Sequence, residues 1–584
     1  MKNPIKILVV ATLSSLALAP FSAAALENFL PGDTLALAKI ENIEKLEQQS
    51  KTNPLAAELN AKIFTPFLAE VKASDEGTSK EFSEFSATCA ELAEIFSGEV
   101  LFAVVNRKGT LNPVILADCS GVADLEKVAE LYKKSNPDAT LEPVGVAGVD
   151  AMKSGKDCFT VVGKTFILSD DVDALKEFVK SIMTSSSVKQ KKAKGKLLAD
   201  SAEFNKARER IGDADFWVYA DGKTIAKVIY AAAEEFDKKE LEKAQDNPGA
   251  LMFSVLMTPI AKAFAPEAVN SIWSSASFTA DGAVSDSAIS WNANKGIVTL
   301  LTASAKDGFE KPTLFPPSDD PASVSSSNFS FGKFALQLMS LAREATPLFG
   351  IAEMQIMNLK AAENLDVPAT LTALDNGLFT YSLSAQKPKE TVWVQNVSDE
   401  KLVGFALEKI GEKLAPEVSL VKVAGTPEFY NFVVDGENVV SAVFLNGKLC
   451  VGAPDMLKKI VAQAAKGEGA PSVWDNVNLK AGEALLPAGG CGISYAHLGK
   501  MIAATFAEIQ GATVSAVCAA EARDVGDDGE LVVVDETDAS SVENIKNFFS
   551  KFKVEKGDFD YSVLSKTYLE ENGISAKTVI YKNK

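Results

Sequence analysis

One histidine serves the whole 584-residue chain. A Ser-His-Asp triad needs an imidazole base, so His497 would have to be it. A zinc site built on several histidines is excluded by count. The six cysteines, Cys89, Cys119, Cys158, Cys450, Cys491 and Cys518, contain no CxxC pair and no metal-type spacing. There is no GxGxxG, GxSxG or HExxH. The tripeptide GKT occurs at Gly163–Thr165 and Gly222–Thr224, but the upstream glycine of a phosphate loop is replaced by Cys158 and Trp217. No cofactor is expected. Positive charge is also short: 59 Lys and Arg face 78 Asp and Glu, a net charge of −19. Such a surface repels phosphate backbones, which argues against nucleic acid as a partner, and it disfavours anionic lipid head groups.

Long apolar runs are missing beyond the first 25 residues. The longest, Ala250–Ile260, holds Pro259 and is followed by Lys262. It reads as a core helix, so no transmembrane segment is expected once the leader is removed. The leader itself has the secretory pattern: Lys2 and Lys6, an apolar stretch Ile7–Phe21, then small residues Ser22–Ala25. Cleavage is expected after Ala24 or Ala25, and the mature protein is expected to be exported, periplasmic or extracellular.

What is present is repetition. Thr65-Pro66 returns as Thr346-Pro347, Pro113–Asp118 as Thr391–Asn396, Gly163-Lys164 as Gly447-Lys448, and Tyr219-Ala220 as Tyr495-Ala496, in the same order and at nearly constant separation. Two homologous halves are expected, 26–304 and 328–584. A Pro- and Ser-rich linker over 305–327, with Pro312, Pro316, Pro317 and Pro321, joins them. The first half has a break near 185–200. Matching its Asp281-Gly282 turn to Asp528-Gly529 in the second half leaves extra residues, which read as a helical insertion over about 231–269. The cysteines do not follow the repeat, so no inherited disulfide framework exists.

Apolar runs of strand length, Glu99–Val105 and Pro113–Cys119, are separated by turn residues. Val122, Leu125, Val128 and Leu131 recur at helical spacing. Hairpins outnumber crossovers. The fold class is α+β, each half carrying antiparallel, hairpin-rich sheets with helices packed on one face. Met339, Met354 and Met357 read as core residues of a helical region, the other reading being the lining of a flexible binding groove. Acidic clusters at Ser169–Leu175 and Ser398–Leu402 read as helix caps.

The mature start, with Leu30-Pro31, Asp33-Thr34 and then an apolar strand, resembles exported bacterial proteins of unknown function that begin with an L-P-x-D-T motif. The resemblance implies export and brings no functional residues.

Candidate ligand contacts are the duplicated strand ends, Tyr219 and Asp221 in the first half and Tyr495 and His497 in the second. In "DVGDDGELVVVDE", Asp524, Asp528 and Asp535 stand near calcium-loop positions. The third position is Gly526 and the twelfth is Asp, so a hairpin is the better reading and a surface calcium site the other. The function expected is a non-enzymatic binding or scaffold protein, taking a protein or apolar small-molecule ligand. One alternative is a carrier of lipids or other apolar molecules, with Phe64, Phe67, Phe331 and Phe334 lining a groove. Another is a hydrolase working through paired carboxylates.

Overall fold

The computed structural model describes residues 25–66, 96–107, 109–119, 124–135, 139–185, 197–244, 256–319, 321–346, 349–383, 391–467, 469–503 and 556–584. They divide into two compact units. Residues 25–224 and 271–286 form the first, and 225–270, 287–503 and 556–584 form the second. The leader, Cys89, Cys518, Phe67, and Asp524, Asp528 and Asp535 lie outside the described residues, as does most of the basic break.

Among the described residues the strands lying wholly or mainly in the first unit, or ending across its boundary, are β1 (Thr34–Ile40), β2 (Phe96–Arg107), β3 (Thr110–Cys119), β4 (Glu142–Val146), β5 (Val149–Ser154), β6 (Asp157–Val162), β7 (Thr165–Ser169), β8 (Phe216–Asp221), β9 (Val269–Phe278) and β10 (Gly282–Trp291). Antiparallel pairing gives the order β4-β5-β6-β7-β3-β2-β1-β8-β9, and a tight turn carries β9 into β10. The second unit holds β11 (Ser323–Ser327), β12 (Leu374–Ser382), β13 (Thr391–Val397), β14 (Ser419–Val423), β15 (Phe429–Val434), β16 (Glu437–Leu445), β17 (Lys448–Gly452), β18 (Gly492–His497), β19 (Lys556–Phe559), β20 (Tyr561–Glu570) and β21 (Gly573–Lys582). Its order is β14-β15-β16-β17-β13-β12-β11-β18-β20-β21, again antiparallel. The chain is therefore α+β.

Helices do not keep to one face. Leu449 and Cys450 are neighbours on β17 and so point to opposite sides of the sheet. Leu449 packs with Val403 of the helix Glu400–Leu414. Cys450 packs with Met456, Leu457 and Ile460 of the helix Pro454–Ala464. The expectation of one covered face fails because both sides of the strand are apolar, and each needs its own cover. Both helices start as their sequences dictate: Asp399 accepts from Leu402 N at 3.0 Å, and Pro454 occupies the first turn.

The 305–327 segment is not a linker. Phe315 is fully buried and Leu314 nearly so, both in the core that includes Val324, Tyr381 and Trp474. Trp474 donates to the Pro312 carbonyl at 3.1 Å, and Ser323–Ser327 is a central strand, β11. Prolines stop a helix but allow extended chain, and apolar residues between them anchor it. The boundary at 304 falls inside the second unit for the same kind of reason. Ser330 N donates to the Ser304 carbonyl at 2.8 Å, and Gln337 donates to Thr299 Oγ1 at 2.9 Å. These bonds tie the helix Ile297–Ser304 to the helix Phe331–Ala345. Gly332 lets the latter approach closely: a Cβ there would lie 1.7 Å from the Leu371 carbonyl oxygen.

The strand beyond β18 is β20. The segment 515–536, expected as its neighbour, lies outside the described residues. The stretch 231–269, expected as a helical insertion, is entered by the helix Gly222–Ala244 and holds the helix Met257–Phe264.

The L-P-x-D-T residues begin β1. Leu30 is buried and its carbonyl accepts from Leu198 N at 2.9 Å. Thr34 Oγ1 donates to the Pro31 carbonyl at 2.7 Å, and the Asp33 carbonyl accepts from Asn106 N at 3.1 Å. Cys119, Cys158, Cys450 and Cys491 are buried and free. Burial pushes the first three thiols up to about 12, so they act as small apolar side chains.

Candidate functional site

Each pair of sequence-predicted ligand residues stays within one unit. Tyr219 is buried on β8, opposite Leu37 and Trp273. Burial, and then the carboxylates of Asp221 and Glu203, raise the pKa of its phenol. Asp221 closes the strand and accepts from Thr224 N at 2.7 Å, a bond that fastens the first turn of the following helix.

Tyr495 is equally buried on β18. Its hydroxyl lies 2.8 Å from Ser562 Oγ, and Ser562 in turn donates to Asn583. Its tyrosine neighbour Tyr581 donates to the Asn478 carbonyl at 2.7 Å. His497 ends the strand. Its backbone N–H donates to Ala322 at 3.1 Å, and Nε2 stands 3.7 Å from Asp560 Oδ1. The imidazole is mostly covered, and its buried Nδ1 has no hydrogen-bond partner. These contacts fasten strand ends.

Two other groupings stand out. The first is a charge network in the first unit. Lys39, on β1, is wholly buried, with Nζ 2.5 Å from Glu27, 3.1 Å from Glu41 and 3.1 Å from Glu99. Arg208 reaches Glu41 at 2.8 Å and Glu27 at 3.4 Å. Trp217 Nε1 donates to Glu41 at 2.6 Å, and both cations lie over the Trp217 ring. The three glutamates raise the Lys39 pKa against the opposing pull of burial, the largest single influence. Asp118 stands beside Glu99, and burial carries its carboxyl up to about 6. The three glutamates are held by fixed cations, an arrangement suited to holding the fold rather than to passing a proton to a substrate.

The second is an apolar helix face in the second unit. The helix Phe349–Glu363 has no buried residue. Ile351 is 51% exposed, Met354 58% and Met357 70%. The expectation that Met354 and Met357 fill a core is wrong. Glu353, Lys360 and Glu363 share one side of the helix, while Ile351, Met354 and Met357 lie on another side that remains in water. Ion pairs fix it at both ends: Arg343 with Glu353, Lys360 with Asp366 at 2.5 Å, and Lys413 with Glu363 at 2.5 Å. The six residues Met354–Leu359 between these anchors carry no charge. Exposed Ile410 and Leu414 share one face of the helix that supplies Lys413, and exposed Phe331 and Leu338 share one face of the helix that supplies Arg343. Phe331 is half-exposed and Phe334 half-buried against Phe329.

The apolar side of a helix is ordinarily turned to a core. This one offers unbranched methionines, whose flexible thioethers adapt to varied apolar shapes. In the sequence the signal was the spacing of Ile351, Met354 and Met357 on one side of "FGIAEMQIMNLKAAE", away from Glu353, Lys360 and Glu363. For Lys39 the signal was a lysine in phase with Leu35 and Leu37 on one side of an apolar strand. Among the described residues no three His, Cys, Asp or Glu side chains gather as a metal site, and no helix is long and apolar enough to cross a membrane.

No family model and no curated protein matches the chain. Among solved structures, crystal form I of TP0453 aligns at 9% identity over 50% of this chain and 90% of its own, with a TM-score of 0.25. Crystal form III aligns at 10% identity over the same shares, also at 0.25. Form IV aligns at 8% identity over 46% and 81%, at 0.24. Likeness at this level carries nothing about function.

Proposed function

We propose that the protein is an exported, non-enzymatic binding protein built by internal duplication, and that its second unit takes an apolar ligand of the lipid class on the helix Phe349–Glu363. The export part rests on the leader pattern of Lys2–Ala25 and the L-P-x-D-T start. The duplication is supported by the two strand orders. β4-β5-β6-β7-β3-β2-β1-β8-β9, continued by β10, runs element for element like β14-β15-β16-β17-β13-β12-β11-β18-β20-β21. In this correspondence Tyr219 matches Tyr495 and Asp221 matches His497, each closing the strand beside β1 or β11.

The binding part rests on one observation, the exposed apolar side of that helix. Completing the burial of Ile351, Met354 and Met357 would contribute on the order of 3 kcal/mol, a useful fraction of a micromolar affinity. An acyl chain fits because Met354–Leu359 asks for no charge complement. The net charge of −19 points to neutral or zwitterionic lipids rather than anionic ones.

Native mass spectrometry of the mature protein tests this. Co-purified or added phospholipid should bind the parent, and the double variant Met354→Glu/Met357→Glu should lose it while staying folded. Equal binding by both proteins, or none by the parent, would refute the assignment. A captured protein partner lost in the same variant would move the reading to protein recognition.

A further inference from the structure

The buried network around Lys39 lacks a positive charge. Glu27, Glu41 and Glu99 face two cations, Lys39 and Arg208. Glu27 and Glu41 each contact both. Glu99 contacts only Lys39, through Oε1, and its other oxygen, Oε2, receives the main-chain nitrogen of Leu26 at 2.8 Å. That nitrogen is a neutral amide while residue 25 remains attached. Leu26 itself is fully buried, so the chain is fixed here, and Ala25 precedes the short helical turn Leu26–Phe29. Ala23, Ala24 and Ala25 supply the small residues a leader peptidase accepts.

We infer that the Ala25–Leu26 bond is the maturation cleavage site, and that the α-ammonium it frees on Leu26 becomes the third cation of this network, paired with Glu99. This rests on the export reading. In the step, water adds across the peptide bond. Its hydroxyl goes to the Ala25 carbonyl, which leaves with the leader as a carboxylate. The Leu26 nitrogen takes the protons and is an ammonium at neutral pH, since free α-amino groups titrate near 8. Cleavage one residue earlier would leave Leu26 N a neutral amide and Glu99 uncompensated. Burial, the largest influence, and the nearby Glu27 charge hold the Glu99 pKa up when only Lys39 and the amide oppose them. An ammonium in place of the amide reverses that balance. The other charged groups facing the site are Lys39, Arg208, Glu27, Glu41 and Asp118, and they do not change on cleavage.

Two measurements test the inference separately from export. First, intact mass and N-terminal sequencing of protein recovered from the exporting cell should give Leu26. A chain starting at Ala25, or one still carrying the leader, overturns the cleavage assignment. Second, the chain 26–584, released from a fusion with a free Leu26 amine, is compared with the same chain acetylated on that nitrogen. At pH 7 the free amine should raise the unfolding midpoint of the first unit by at least about 2 °C. The amine pKa is raised by Glu99, so this gain is present below pH 8 and disappears as the pH rises through the folded-state value. Glu99→Gln should abolish the difference. Equal midpoints for the two chains, or a difference that survives Glu99→Gln, overturn the pairing whatever the route of maturation.

Discussion

Asp118→Asn should stabilise the protein at neutral pH and remove a specific pH dependence. Asp118 is 5% exposed on β3. Its Oδ1 is buried without a hydrogen bond, and Oδ2 receives only the Glu99 amide at 3.4 Å. Burial moves the carboxyl from 3.8 to about 6, against the smaller pull of that amide, Lys39 and Lys164. The folded pKa is therefore above the unfolded one, and the folded state binds the proton more tightly. Stability attributable to Asp118 is full below about pH 4 and is lost as the pH rises through about 6. A rise of that size is worth about 3 kcal/mol. Asparagine keeps the shape and never ionises, though its own amide needs a partner, so a net gain of about 2 kcal/mol at pH 8 is expected, with near equality at pH 4. Urea unfolding at both pH values, followed by hydrogen exchange of the β2–β3 peptides, measures it. A variant less stable than the parent at pH 8, or one that keeps the parent's loss between pH 4 and 6, would refute the reasoning.

Three further outcomes follow from the packing. Lys39→Met keeps the stem volume but strands three glutamates against Arg208, and should cost about 3–5 kcal/mol in urea unfolding of the first unit; a loss below about 1 kcal/mol would contradict the network. Gly332→Ala forces a methyl onto the Leu371 carbonyl and should cost at least about 2 kcal/mol, seen as early protease cutting of the helices Phe331–Ala345 and Val367–Ala373. His497→Asp puts at the end of β18 the residue type that Asp221 supplies at the end of β8, and should leave ligand binding unchanged, whereas a folded variant that binds nothing would make His497 a ligand contact.

Strands and turns were the legible part of this chain. The apolar runs Glu99–Val105 and Pro113–Cys119, the Gly163-Lys164 and Gly447-Lys448 turns, and the recurrence of Tyr-Ala at two strand ends are local signals, and they fall where β2, β3, β7, β17, β8 and β18 are found. The role of 305–327 was not legible, because prolines mark the end of regular structure in a linker and in an anchored extended segment alike. Only tertiary contacts, Phe315 and Val324 in the core, distinguish the two. The single covered face failed because continuous apolar strands such as "KLCVG" do not reveal how many layers they meet. Methionines at helical spacing fit a core and a surface equally well in sequence. Solvent exposure of Met354 and Met357 decides between them. His497 drew notice by rarity, yet its neighbours are strand-fastening groups, while the more unusual residue is Lys39, one cation among many in the sequence.

The central claim is that the helix Phe349–Glu363 carries an apolar ligand. An environment-sensitive fluorophore on Met357→Cys, titrated with zwitterionic phospholipid, reads that helix directly. The same label on Lys458→Cys, at an exposed position of the helix Pro454–Ala464, serves as reference. A saturable blue shift is expected at position 357, none at 458, and loss of the shift when Met354→Glu is added. A label at 357 that stays in water at saturating lipid, or shifts equally at both positions, would contradict that claim.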